Sequence, residues 1–363
     1  MSTSLENSQN FLKWSIGPVR KLLANWQAMM QDLKTVRILR LSIATTLAMA
    51  LAYAFNWPLA FLTPVFTVVF LSLPLPRPNL FQGFKNMLQT LMAFAIGVLF
   101  SVYLSPFPFV FILLLGLALF HIYYYMNRGG SFWLVLMSLI AILLMPMLAN
   151  LHGSLAVGFS MGFIWSSWVA VWMIFLAHFL VPDPESSVIP PRPRMVKEYV
   201  PAAAELALKS TLVAFPMAIL LIALQLMDYV LVMIFAAIFT LSPELSKGAE
   251  AINKSLISTL IGGIAAYCFY WLLVAVPEYY FFVLLTFFMS LVFASIIFSD
   301  RADAKYYSSA LVAVIILFNG SMGEDKDFTS VFAMRVILMS LAGVYVIITL
   351  KVLDRYWPSA NKQ

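Results

Sequence analysis

The sequence predicts an all-α polytopic membrane protein: about twelve transmembrane helices as two tandem six-helix repeats, behind an N-terminal amphipathic helix. Three observations predict it. Of the 363 residues, 63% are hydrophobic and only 10% charged, with a mean hydropathy of +0.93, whereas a soluble domain carries roughly 25% charged residues. The apolar runs are continuous, where the strands of a membrane barrel would alternate. Finally, a stretch from Arg40 to Ala93 recurs 169 positions later (209 minus 40). It sets Lys85 on Lys254, Thr90 on Thr259, Leu91 on Leu260, Pro74 on Pro243 and Phe70 on Phe239. Identity between the copies is weak, and chance alignment of apolar residues is the alternative. The matched lysine, threonine and proline favour duplication.

Residues 1–38 form the cytoplasmic amphipathic segment. Its first ten residues lack the charged-then-apolar pattern of a signal peptide. From 11 to 40, Trp14, Ile16, Leu22, Leu23, Trp26, Met29, Met30 and Leu33 recur at helical spacing between lysines and arginines. This pattern suits a helix lying on the inner leaflet; a soluble helix packed on the loops is the alternative.

The first membrane half, 39–180, divides into apolar segments at 39–56, 59–73, 86–104, 109–126, 132–149 and 154–180. A polar linker follows at 181–207. The second half, 208–350, divides at 208–226, 229–242, 255–276, 279–298, 306–319 and 330–350, before a tail at 351–363. The first two segments of each half read as unusually short, with Pro58 and Pro64 interrupting one copy and Pro216 the other. Short or broken segments in matching halves point to a transporter's midplane site. With an N-terminus inside, only Lys326 among the loop lysines and arginines falls outside, as the positive-inside rule requires. Both termini are therefore expected in the cytoplasm. Basic residues spread over loop ends argue against nucleic acid as a partner.

No soluble-enzyme signature is present. The phosphate-binding loop G-x-x-x-x-G-K-[ST] is missing, so ATP does not drive the chain directly, and no H-E-x-x-H or G-x-S-x-G occurs. Cys268 is the single cysteine, and His121, His152 and His178 are scattered. No catalytic residue, metal or cofactor is expected.

Four residues are candidates for substrate binding. Arg335 is a basic residue inside an apolar segment, where a charge costs several kcal/mol unless paired or hydrated. It could attract a substrate carboxylate through bidentate hydrogen bonds, or snorkel outward to Glu324, Asp325 or Asp327. Asn56 and Trp57 could supply an amide and a flat indole, or Trp57 could be an interfacial belt residue. Asn319 joins them at the outer end of the eleventh segment. For proton coupling or gating the candidates are Asp228, Asp300, Arg301, Asp303, Lys85 and Lys254, with a solvated loop as the plainer reading of the cluster at 300–305. Thr90, Thr259 and Gly262 read as a helix-packing motif, small residues allowing close approach.

At these residues the chain resembles the fusaric acid resistance protein and aromatic acid exporter superfamily of bacterial inner-membrane proteins, in a compact form of the domain-of-unknown-function type. The resemblance lies in the basic Arg37 and Arg40 ahead of the first span, the paired segments, and the opening of the third span. The family's R-x-x-G-T-x-x-G-like pattern stands here as Asn86-x-x-Gln89-Thr90-x-x-Ala93 and Ser255-x-x-Ser258-Thr259-x-x-Gly262. The arginine is absent from both copies, with Lys85 and Lys254 one residue earlier, and the first glycine is missing. The resemblance implies efflux of aromatic or other amphipathic organic acids across the inner membrane, driven by the proton gradient. It also implies a separately encoded periplasmic membrane-fusion adaptor. Lipids and a small organic anion are the other expected partners, with a homo-oligomer open. A passive anion channel, or a non-transporting scaffold for the adaptor, are the alternative functions.

Overall fold

The computed structural model describes residues 31–73, 80–183, 198–241, 245–322 and 327–357. Among the described residues there are twelve α-helices and no strand. Most of the amphipathic segment, most of the linker, and Glu324 and Asp325 lie outside them.

Helix α1 (Leu33–Phe55) starts where Asp32 accepts hydrogen bonds from the backbone N–H groups of Lys34 and Thr35 and from the Thr35 hydroxyl. An acceptor at this position satisfies donors that the first helical turn leaves free. The same bonds, that of the Thr35 hydroxyl foremost, hold the Asp32 carboxyl below the usual carboxylate range. Helix α1 stops at Asn56, which takes the left-handed conformation (φ 43°), one that asparagine tolerates better than most residues. Short α2 (Leu62–Leu71) returns the chain. Next come α3 (Leu80–Leu104), α4 (Pro108–Asn127), α5 (Phe132–Leu151) and α6 (Gly153–Leu180).

The second series repeats this order, a long helix, a short one and four more. It comprises α7 (Pro201–Ala223), a 3-10 turn (Met227–Tyr229), short α8 (Val230–Phe239), α9 (Leu245–Ala275), α10 (Tyr279–Ile297), α11 (Ala304–Gly320) and α12 (Phe328–Tyr356). Nine of the twelve are long and apolar enough to cross a membrane; α2, α8 and α11 are shorter.

The expected pair of short segments is therefore corrected to one short helix. Helices α1 and α7 have 23 residues each, α2 and α8 only 10. Helix α1 continues back through Arg40 and Arg37, and α7 begins at Pro201 inside the expected linker. Charged residues end an apolar run without ending a helix, because lysine, arginine and glutamate are good helix formers. By the same rule α12 carries the last six-residue extension to Tyr356. Pro58 falls in the α1–α2 turn and Pro64 in the first turn of α2, where a missing N–H costs nothing. Among the described residues, Pro216, in α7, and Pro146, in α5, stand in helix interiors.

Within the first six helices α3 packs on α5 and α6, and α2 on α6; within the second six α9 packs on α11 and α12, and α8 on α12. Across the molecule α4 lies on α7 and α10 on α1, while α2 meets α11 and α8 meets α5. Close approach depends on small residues. A Cβ on Gly97 would lie 2.9 Å from that of Ala141, and one on Gly262 2.5 Å from the carbonyl oxygen of Ala310. The outer faces of α3, α4, α6, α9, α10 and α12 expose large apolar side chains, among them Trp165, Trp168 and Trp172 on α6. Such a belt suits contact with lipid. Every described lysine and arginine except Arg335 belongs to the half of its helix, or to the loop, nearest the end where α1 begins. That end is called the basic end below.

Candidate functional site

Helix periodicity sets Phe328, Phe332, Arg335 and Met339 on neighbouring turns of α12, at spacings of three and four. Met339 reaches α9, where the Thr259 hydroxyl lies 3.7 Å from its sulfur. Arg335, one turn nearer the opposite end, lies over the Phe235 ring of α8 with its guanidinium carbon 5.6 Å from the ring centre. Its Nε is buried and has no hydrogen-bond partner in the chain. No carboxylate of the described residues, Asp327 included, lies within ion-pair distance. A guanidinium over an aromatic face gains about 0.5–2 kcal/mol, while an unmet buried donor costs about 1–3 kcal/mol. The balance leaves a cation able to accept an anionic partner.

The other substrate candidates lie elsewhere. Trp57 donates from its indole N–H to the Ser166 hydroxyl at 3.1 Å, and Ser166 donates to the Leu59 carbonyl at 3.0 Å. The α1–α2 turn is thereby pinned to α6, beside a cavity of about 300 Å³ lined by Trp57, Pro58, Met161, Gly162, Ile164 and Trp165. Asn56 is the exposed left-handed cap of α1. Asn319 accepts from the Tyr53 hydroxyl at 3.4 Å. Arg335 thus faces α8, Trp57 faces α6 and Asn319 faces α1. The structure does not gather them around one point, because each sits on a different helix seam.

Three of the gating candidates, Asp300, Arg301 and Asp303, stand in surface ion pairs at the basic end. Lys34 pairs with Asp300, Arg301 grips Asp303 through two hydrogen bonds of 2.9 and 3.0 Å, and Lys305 lies 3.8 Å from Glu250. Asp303 holds the Arg301 guanidinium above its ordinary pKa, chiefly through the hydrogen bond. Lys85 and Lys254 are exposed on α3 and α9, and Asp228 is exposed in the 3-10 turn at the opposite end. Of the packing candidates, Thr90 accepts the Trp133 indole N–H at 3.0 Å and lies 3.2 Å from the Ser167 hydroxyl, so it joins α3 to α5 and α6.

Two buried cation links escaped the sequence reading. Arg40 donates to the Val181 carbonyl at 2.8 and 3.0 Å and to Asp183 at 2.7 Å. Lys209, 169 positions on, is fully buried, 3.7 Å from Glu205 and 3.9 Å from Asp354. Each fastens the first helix of a series of six to the far end of its last helix. The signal was present, since Arg40 and Lys209 are the basic residues that opened the repeated stretch; their partners were hidden by distance along the chain.

At the opposite end, a second cavity of about 340 Å³ opens between α4 and α7, where Ser105, Asn150 and Gln225 bring polar groups among Phe111, Ile219 and Ile222. The matching α1–α10 seam is filled by rings: Tyr53 meets Phe282 at 5.2 Å, and the Tyr279 hydroxyl donates to the Ala50 carbonyl.

Residues 37–177 match the model of a family described as a protein of unknown function (DUF2955), a span that corresponds to α1–α6. No curated protein and no solved structure matches the chain.

Proposed function

We propose that the chain is an inner-membrane efflux transporter for aromatic or other amphipathic organic acids, driven by the proton gradient and working with a periplasmic membrane-fusion adaptor. Arg335 carries this reading. A guanidinium within an apolar helix, with a buried N–H unmet and an aromatic ring beneath it, suits a flat molecule bearing a carboxylate. The helix pairings, alike in the two series of six, support two tandem six-helix halves, the frame in which many transporters alternate access. The resemblance at Thr90 and Thr259 supports the same reading. No enzymatic step is proposed. The lysines and arginines gathered at the basic end support a cytoplasmic placement of that end and of both termini.

The test is uptake of labelled 4-hydroxybenzoate by inverted vesicles containing the purified chain under an imposed proton gradient. Uphill uptake that collapses with a protonophore is the expected result. Flux that only follows the substrate's own gradient would replace the exporter with a channel. No flux for a panel of aromatic acids, with and without a co-purified adaptor, would leave the scaffold reading in its place.

A further inference from the structure

The seams α3–α6 and α9–α12 share one register. Thr90 faces Ser167 across the first, and Thr259 faces Met339 across the second. Gly83 faces Val171 in one, and Gly343 faces Ile252 in the other. Both ties carry α3 onto α9 by 169 positions (259 minus 90; 252 minus 83) and α6 onto α12 by 172 (339 minus 167; 343 minus 171). The left-handed residues Asn56 and Gln225, also 169 apart, extend the first shift to the ends of α1 and α7, and Phe66 and Phe235, 169 apart as well, face Phe163 and Arg335 in turn.

In this register Arg335 takes the place of Phe163, Phe235 that of Phe66, and Gly263 that of Phe94. In the first six helices Phe94 stacks on Phe163 at 4.5 Å, and Phe163 lies 6.3 Å from Phe66. All three are buried. The second six helices have no ring at 263. Phe332, which takes the place of Ser160, fills that space so closely that a Cβ on Gly263 would strike its ring.

The result is a column of aromatic faces with one guanidinium in it. From the opposite end inward, Tyr270 meets Phe328 at 5.9 Å, and Phe328 stacks with Phe332 at 6.4 Å. Arg335 follows over Phe235, which stacks on Phe239 at 5.9 Å. The next residue, Thr240, accepts from Ser210, the neighbour of buried Lys209. Phe332, Arg335 and Phe235 are partly exposed, in contrast to their buried counterparts Phe66 and Phe163.

We infer that the chain carries a single anion track, along the α8–α12 seam, and that Phe66, Phe94 and Phe163 plug the same seam of the first six helices. The inference rests on the transport reading for what moves along the track. Flat substrates can pass from ring to ring, because each offset stack is weak and replaceable, and Arg335 supplies the one fixed positive charge on the way. The two halves thereby divide the work: one seam conducts and the other is a rigid partner against which it moves.

The test uses charged thiol reagents on the full-length chain in detergent, with exposed Cys268 replaced by serine. Phe332→Cys and Ser160→Cys, which hold matching places, are treated with the anionic sulfonatoethyl and the cationic trimethylammonium-ethyl methanethiosulfonates. Phe332→Cys should react about tenfold faster than Ser160→Cys and prefer the anionic reagent, a preference lost in Arg335→Gln, since a nearby fixed charge raises the local anion concentration. Equal rates at the two positions overturn the inference. If Phe332→Cys does not elute as a folded protein, Phe235→Cys and Phe66→Cys are the second matching pair, with the same expected contrast. Failure of the transport reading looks different: the cysteines differ, but no acid moves in the vesicles. Uptake that requires Arg335 with cysteines that react alike removes the single track and leaves the transporter.

Discussion

Arg40 and Asp183 stand 143 positions apart in sequence and 2.7 Å apart in space, joined in an ion pair with a buried guanidinium and a half-buried carboxylate that closes α1 onto the end of α6. The same guanidinium also donates twice to the Val181 carbonyl, through Nε and one terminal nitrogen. Lys209 repeats the arrangement in the second series with a point charge and longer distances to two carboxylates.

Arg40→Ala should lower stability by about 1–3 kcal/mol, because the buried Val181 carbonyl loses both of its guanidinium donors and Asp183 loses a charged partner. Arg40→Lys should recover only part of the loss, since an ammonium lacks the planar fork. Lys209→Ala should cost less than Arg40→Ala, because Glu205 and Asp354 keep about a quarter of their side-chain surface in contact with solvent. Thermal unfolding in detergent ranks the three. An Arg40→Ala variant as stable as the unmodified chain would remove the link from the fold's supports.

Asp300→Asn and Asp303→Asn should each change stability by less than about 1 kcal/mol, since exposed pairs gain little and are screened by salt. Their unfolding midpoints at low and high salt supply the check. A loss of several degrees at either position would mean that these pairs hold the basic end shut.

Thr90→Val should cost about 1–3 kcal/mol, because it leaves the Trp133 indole N–H and the Ser167 hydroxyl without their buried partner. Trp133→Phe, which removes the donor and leaves Thr90 its other contacts, should cost less of the hydrogen-bond energy, about 1 kcal/mol. Added packing loss is measured separately with Trp133→Leu. Reversal of the first two would show that indole packing outweighs the bond.

Gly262→Ala should destabilise the chain by about 1–3 kcal/mol through overpacking, since the new methyl would meet the Ala310 carbonyl and the Ala313 Cβ on α11. Gly158→Ala meets nothing within 4 Å and should be neutral or slightly stabilising. Melting curves of the pair, recorded side by side, decide whether α9 and α11 are at closest approach.

Arg335→Gln should slow uptake of 4-hydroxybenzoate about tenfold or more, the loss expected for one charge-assisted hydrogen bond. Arg335→Lys should keep the charge but lose bidentate contact, giving an intermediate rate. Protein level and elution profile should not change. Full uptake by Arg335→Gln at an unchanged apparent affinity would exclude this residue from the substrate path.

The helices were legible because burial in lipid demands long apolar runs, and these survive in one dimension. Their starts were not: Arg37, Arg40 and Lys209 end apolar runs yet continue helices, since a lysine or arginine inside a helix end can be neutralised by a partner far along the chain. Trp57, Asn319 and Arg335 were each recognisable as polar or aromatic residues near span ends, but pattern could not say that they face three different seams. Nor could it find Asp183 or Asp354, which are ordinary loop or helix-end carboxylates until folding brings them to Arg40 and Lys209.

By itself the sequence determined the membrane, the all-helical class, the approximate place of every described helix and the singular position of Arg335, because transfer of apolar and charged groups depends on composition and spacing. Only the tertiary structure decided which helix faces which, that Phe163 holds the place Arg335 occupies in the second series, and that Arg40 and Lys209 are buried links. Those outcomes depend on side chains meeting across seams, and a contact between helices far apart in sequence is set by packing geometry that no local pattern encodes.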